Sequence, residues 1–138
     1  MNLPIVLALG GLVGFGLSNF FWKISGMNRV FPPSFMIVET ICVLLVAMAM
    51  HLIYQQPFSL SPRMAGIASL AGLSAGLAIF ATMTAFRLGG EASIVSPITS
   101  LGFVVAVLLA YLFLRESITT AKLVGFGLAV AAIFLLSR

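Results

Sequence analysis

Of the 138 residues, 62% are hydrophobic and 7% charged, and seven Lys and Arg against three acidic residues give a net charge of +4. Soluble domains carry roughly 25% charged residues, so a water-soluble globular fold is excluded. The small basic excess is what helix ends carry at membrane margins, and it does not make a nucleic-acid surface.

Five apolar stretches occupy nearly the whole chain: Leu3–Trp22, Phe35–Tyr54, Met64–Phe86, Ala92–Leu114 and Ile118–Ser137. Each reaches the length of about 20 residues that a helix needs to cross a hydrocarbon core. Backbone facing lipid must satisfy its own hydrogen bonds, so runs of this length are helices. The alternating segments of about 10 residues that mark a transmembrane barrel are missing. The expected fold is an all-α integral membrane protein, with five transmembrane helices forming a single module over residues 1–138. The first stretch reads as a membrane helix rather than a secretory signal, because no basic segment precedes it and it exceeds the roughly 7–15 apolar residues of a signal.

The first stretch carries Gly10, Gly11, Gly14 and Gly16, then Ser18 and Asn19, and closes on Trp22-Lys23. Small residues four apart let helix backbones approach closely, and an aromatic followed by lysine suits an anchor at the headgroups. Pro32-Pro33 stands where the second helix opens, a place where a missing backbone N–H is harmless. Glu39, in the second stretch, is the only acidic residue within any membrane segment. It lies about six residues past Pro33, hence about 9 Å along the helix. An ionisable side chain at that depth costs roughly 2.5–3.5 kcal/mol and is usually functional. Apolar surroundings disfavour the charged carboxylate, the property a proton carrier needs. The alternative is a position near the headgroups, paired with Lys23 or Arg29. His51 lies about 18 Å further along and reads as an interfacial residue. Cys42 is the only cysteine, so no intrachain disulfide forms.

The third stretch repeats the small residues at Gly72 and Gly76, and Gly89-Gly90 makes a tight turn into the fourth. There Ser93, Ser96, Pro97 and Ser100 recur at helical spacing on one face. Pro97 cannot donate to the Ser93 carbonyl, which leaves that oxygen for a side chain, water or ligand. Interrupted helices of this kind line transporter sites; the alternative is a tolerated kink with the hydroxyls bonded back to their own helix. Arg115-Glu116 closes the fourth stretch as a local ion pair or a cap for the next helix. Gly102, Ala106 and Ala110, then Gly125 and Ala129, continue the small faces, which read as the ordinary packing of a compact bundle. Trp22, Phe80 and Phe103 read as core or lipid-facing residues. With one His, one Cys and no Asp, no metal set or cofactor is expected. The Ser and Thr residues have no base nearby in sequence, so the chain does not read as an enzyme.

Orientation follows the Lys/Arg excess on the cytoplasmic side. One side of a five-span chain carries Arg63, Arg115 and Lys122, and the other carries Lys23, Arg29, Arg87 and Arg138. Counting the α-amine makes this a tie, which points to dual topology, with copies inserted both ways and paired antiparallel. Five helices also make a thin bundle for a solute pathway, so a dimer of ten helices is expected.

From Ala85 to Leu136 the pattern becomes specific. The run Ala85-Phe86-Arg87-Leu88-Gly89-Gly90-Glu91-Ala92-Ser93-Ile94-Val95-Ser96-Pro97 resembles the junction between third and fourth helices of EamA-type proteins in the drug/metabolite transporter superfamily. Leu112-Phe113-Leu114-Arg115-Glu116-Ser117-Ile118-Thr119, with Gly125 nine residues after Glu116, is similar to the end of the same module. Gly14-Phe15-Gly16, Ser18, Lys23 and Pro32-Pro33 fit the first half more loosely. The second stretch departs from the pattern, since the family often has an arginine near its start where this chain has Glu39. Ala132 also stands where a second glycine is common.

The resemblance implies one half of a ten-helix inverted-repeat fold in the cell membrane, completed by a second copy as an antiparallel homodimer. It further implies alternating-access export of a small metabolite or drug. Ser18, Asn19, Ser96, Pro97 and Ser100 are the expected lining of the substrate pathway, and Glu39 the proton-coupling candidate. Gly89, Gly90, Glu116 and Gly125 are the structural motif. A lipid-carrier flippase subunit, or a membrane subunit that needs a different partner, are the rival readings.

Overall fold

A computed structural model of the chain describes residues 2–136. Within them the chain is helical: α1 (Leu3–Met27), α2 (Pro32–Tyr54), α3 (Pro62–Arg87), α4 (Ala92–Ser100), α5 (Gly102–Leu114) and α6 (Thr120–Leu136). Four spans are long and apolar enough to cross a membrane: α1, α2, α3, and α4 with α5 taken together over Ala92–Leu114. The described part of α6 is shorter, 17 residues, or about 26 Å at helical rise. Ser137 of the expected fifth stretch and Arg138 of the charge count lie outside the described residues.

Helix boundaries follow local chemistry. Pro32 and Pro33 occupy the first turn of α2, where the fixed φ of proline suits a helix start. Ser61 caps α3 by accepting from the Met64 N–H at 3.3 Å, and Pro62 follows at the first helical position. Arg29, Gln55 and Arg115 adopt left-handed backbone, with φ of 54°, 49° and 55°. Each ends a helix by turning its N–H back on the preceding turn, as Arg29 does to the Gly26 carbonyl at 2.9 Å. The third helix ends instead at Gly89, whose φ of +99° only glycine adopts without strain.

The chain divides into two compact units. One holds α1 up to Phe20 together with α4, α5 and α6, with α4 packed on both α5 and α6. Phe103 and Phe126 meet there at 5.6 Å between ring centroids. Half-buried positions recur at Phe126, Ala129 and Ile133 on one face of α6. Phe80, expected in the core or facing lipid, is exposed in the other unit, and Phe103 is exposed in this one.

The other unit, Phe21–Gly89, holds the last turns of α1 with α2 and α3. Every fully buried residue of the described chain belongs to it: Trp22, Ser25, Gly26, Pro32, Thr82, Met83 and Phe86. Phe86 and Met83 are each 1% exposed. Lipid tails are as apolar as these side chains, so their association rests on close packing more than on removal from water. Gly26 shows how close: a Cβ there would stand 2.7 Å from both the carbonyl carbon and the Cβ of Phe86 and 2.9 Å from the Arg87 nitrogen. The end of α1 therefore lies against the backbone of α3.

The small residues of the expected packing faces behave otherwise. A Cβ added at Gly10, Gly14, Gly72, Gly76, Gly102 or Gly125 meets nothing within 4 Å. Within its own unit none of these glycines makes a close approach; Gly26, which lies outside the spaced pattern, does.

Replacing Gly26 by Ala forces α1 off α3, and overpacking of this kind costs about 1–3 kcal/mol. Thermal unfolding of the purified protein followed by circular dichroism checks this, with Gly66→Ala, where an added Cβ meets nothing, unfolding at or above the wild-type temperature.

Candidate functional site

The ionisable residue within the membrane segments finds its partner across the α1–α2 turn. The indole Nε1 of Trp22 donates to both carboxylate oxygens of Glu39, at 2.9 Å to Oε1 and 3.1 Å to Oε2. Trp22 is buried and Glu39 half-buried. A hydrogen bond to a charged acceptor is worth about 1.5–3 kcal/mol, comparable to the cost of placing a carboxylate at that depth. Lys23 or Arg29 was the partner in the alternative reading of Glu39, and Trp22 read both as a headgroup anchor and as a core or lipid-facing residue. The difference arises because α1 continues to Met27. Trp22 then sits more than a turn inside the helix, opposite a residue two turns into α2.

Lys23 lies with its amine 5.8 Å from the centre of the Phe86 ring, and the Arg87 guanidinium stands 5.9 Å from the centre of Phe31. These cation–π contacts hold two of the basic side chains of this unit against aromatic faces. The Ser25 hydroxyl is buried with no hydrogen-bond partner. His51 makes an edge contact with Phe58 at 6.2 Å, and Cys42 is exposed.

The polar segment of the other unit is organised around Pro97. The Thr99 and Ser100 hydroxyls both donate to the Ser96 carbonyl, at 3.0 and 2.8 Å. Just beyond, Leu101 N–H bonds to the Ile98 carbonyl and Val104 N–H to the Leu101 carbonyl. Those are tight three-residue spacings, and they separate α4 from α5. The hydroxyls thus bond back to their own helix. Ser93 turns to Glu91 at 3.4 Å. Ser96 and Pro97 are half-buried and Ser100 exposed.

Asn19 donates through Nδ2 to the Phe15 carbonyl at 3.0 Å, which fixes the orientation of the amide. Its Oδ1 is then a buried acceptor with no donor among the described residues. Ser18 is half-buried beside it in sequence. No bond joins Ser18 or Asn19 to the Ser96–Ser100 segment among those described.

The motif residues serve as chain reversals. Gly89 N–H bonds to the Phe86 carbonyl at 3.1 Å, and Glu116 N–H reaches the Ala110 carbonyl at 3.4 Å. Arg115 and Glu116 cap α5 through backbone groups, and no ion pair between them is found among the described residues. Gly125 lies within α6. Among the described residues no group of three or more metal-ligating side chains comes together.

Sequence reasoning missed Trp22 as the group that holds Glu39. A signal was present, since the chain has a single Trp and a single carboxylate within its membrane stretches, on either side of a double-proline turn.

The chain is similar to known proteins over nearly its whole length. The family described as the EamA-like transporter family matches residues 2–138. An uncharacterized protein of Methanocaldococcus jannaschii is 31% identical over 140 residues, covering 99% of this chain and 98% of its own length. No solved structure matches the chain significantly.

Because Trp22 is the only tryptophan and its N–H bonds to Glu39 directly, tryptophan emission reports that bond. We expect Glu39→Leu, which removes the acceptor, to shift the emission maximum relative to the wild type. An unchanged spectrum would show that the pair does not form.

Proposed function

We propose that this chain, which belongs to the EamA-like transporter family, is the five-helix half of a secondary-active exporter of small metabolites or drugs. It works by alternating access as an antiparallel homodimer in the cell membrane, with Glu39 carrying the coupling proton. The coarser statement stands on the family: the chain is a multi-pass membrane transporter of the drug/metabolite type.

The observation that carries the pairing is the set of helix faces left open. Gly10 and Gly14, Gly72 and Gly76, Gly102, and Gly125 present flat surfaces that meet nothing within their own unit. In membranes such small-residue surfaces are where helices of different segments or copies approach. A second copy supplies the partner surface, and the balanced Lys/Arg count lets that copy insert the opposite way. The relative from Methanocaldococcus jannaschii is matched over 98% of its own length.

The substrate pathway in this reading runs past Ser96, Pro97 and Ser100 and past Ser18 and Asn19. The unpartnered Asn19 Oδ1 is suited to accept a hydrogen bond from a solute, since a buried acceptor without a donor costs free energy until one arrives.

Topology tests the pairing. With Cys42→Ala and a single cysteine added after Arg138, an impermeant thiol reagent applied to intact cells should label about half of the copies; labelling of all or none removes the antiparallel homodimer. Coupling is tested separately, in proteoliposomes loaded with a pH-sensitive dye and challenged with a metabolite and drug panel. Glu39→Gln should lose solute-driven proton movement, and a variant that moves protons as the wild type does ends the coupling role.

A further inference from the structure

At the end of α1 and α3 the Phe21–Gly89 unit has an open surface cavity of about 260 Å³ lined by Lys23, Gly26, Met27, Arg29, Phe86, Arg87, Leu88 and Gly89. On the same measure one water needs roughly 10–15 Å³, so the cavity holds a polar group of many atoms. We propose that it binds the phosphate of an anionic phospholipid headgroup.

Three cations from separate segments converge on it: Lys23 from the last turns of α1, Arg29 from the α1–α2 turn, and Arg87 from the end of α3. No carboxylate is among the lining residues, and Glu39, the acid of this unit, is bonded to Trp22 instead. Arg87 lies against the Phe31 ring, a contact that steadies a side chain without neutralising it. A guanidinium presents parallel N–H donors that match a phosphate.

Helix C-termini ordinarily repel anions, because their last carbonyls point outward. Here turns take up those oxygens. The Ile24 carbonyl accepts from Asn28, Ser25 from Val30, Gly26 from Arg29, Thr84 from Leu88, and Phe86 from Gly89, all within 3.1 Å. The left-handed backbone of Arg29 and Gly89 is what folds these N–H groups back. The cavity is thereby left with a basic character that neither helix end would have alone.

The surroundings favour a lipid over a soluble phosphate. Leu88 is 83%, Met27 69% and Phe31 57% exposed, so apolar side chains flank the cations. That combination matches a headgroup with acyl chains beside it, and Lys/Arg clusters just outside a membrane helix attract anionic lipid. The ends of the first and third spans lie on one side of the membrane, which places the three cations at a single headgroup layer.

Nanodiscs of phosphatidylcholine with one quarter phosphatidylglycerol provide the test, with retained lipid counted by native mass spectrometry. Wild type should retain phosphatidylglycerol in preference to phosphatidylcholine. The preference should fall about fivefold for Arg29→Gln or Arg87→Gln and vanish in the double variant, while Arg87→Lys keeps most of it. Circular dichroism confirms that the variants remain helical, and an Arg115→Gln control, which is not among the lining residues, keeps the full preference. Equal retention by wild type and double variant overturns the site. Release of phosphatidylglycerol by millimolar glycerol phosphate overturns the lipid assignment and gives the cavity to a soluble phosphate compound.

Discussion

A carboxylate inside a membrane helix has to be given a hydrogen-bond donor by the protein, because lipid supplies none. Glu39 receives it from Trp22, and the arrangement of the Phe21–Gly89 unit follows from holding that pair. Trp22 reaches Glu39 only if α1 runs past it to Met27 and the chain reverses tightly into Pro32 and Pro33. The extended end of α1 in turn needs a neighbour, and Gly26 allows it to rest on the backbone of α3 beside Phe86. Phe86 then carries Lys23 on its ring. A larger residue at position 26 would disturb this whole end of the unit.

Much of the architecture was legible because composition leaves a membrane chain so few options. Apolar runs of about 20 residues must be helices, and Pro32-Pro33, Gly89 and the Arg115-Glu116 pair mark reversals by ordinary backbone chemistry. The end of α1 was not legible. Lys23, Ser25, Gly26, Asn28 and Arg29 resemble a connector by polarity, yet Asn28 bonds back to the Ile24 carbonyl, Gly26 lies against α3, and the helix persists to Met27. The start of α3 was hidden in the same way, since Ser61-Pro62 is a strong cap in front of an arginine that hydropathy alone assigns to a loop. The interruption after Pro97 was visible as a proline among hydroxyls. Its effect, a short tight turn between α4 and α5 with the hydroxyls folded onto Ser96, depends on how the freed backbone re-pairs and cannot be read from residue types.

The glycines illustrate a second limit of sequence reading. Spacing of four marks a face on which another helix can lie, but not which helix. At Gly14, Gly72 and Gly125 nothing of the same unit occupies that face, whereas Gly26, which no spacing singled out, is pressed against α3. Periodicity therefore located the surfaces and gave no information about whether the partner belongs to the same copy.

The chemistry of the Glu39 partner bears on coupling. An arginine or lysine beside a carboxylate favours its charged state and opposes proton uptake. An indole N–H is neutral and is a donor only. It bonds to the carboxylate, and after protonation the carbonyl oxygen of the neutral acid still accepts from it. A hydrogen bond to a charged acceptor is the stronger one, but an indole donor also bonds to a neutral acceptor, so such a partner holds a carboxyl group in place in either state. The proposed coupling role asks for a partner of that kind. Pairing with Trp22 gives Glu39 a neutral donor in place of a cation.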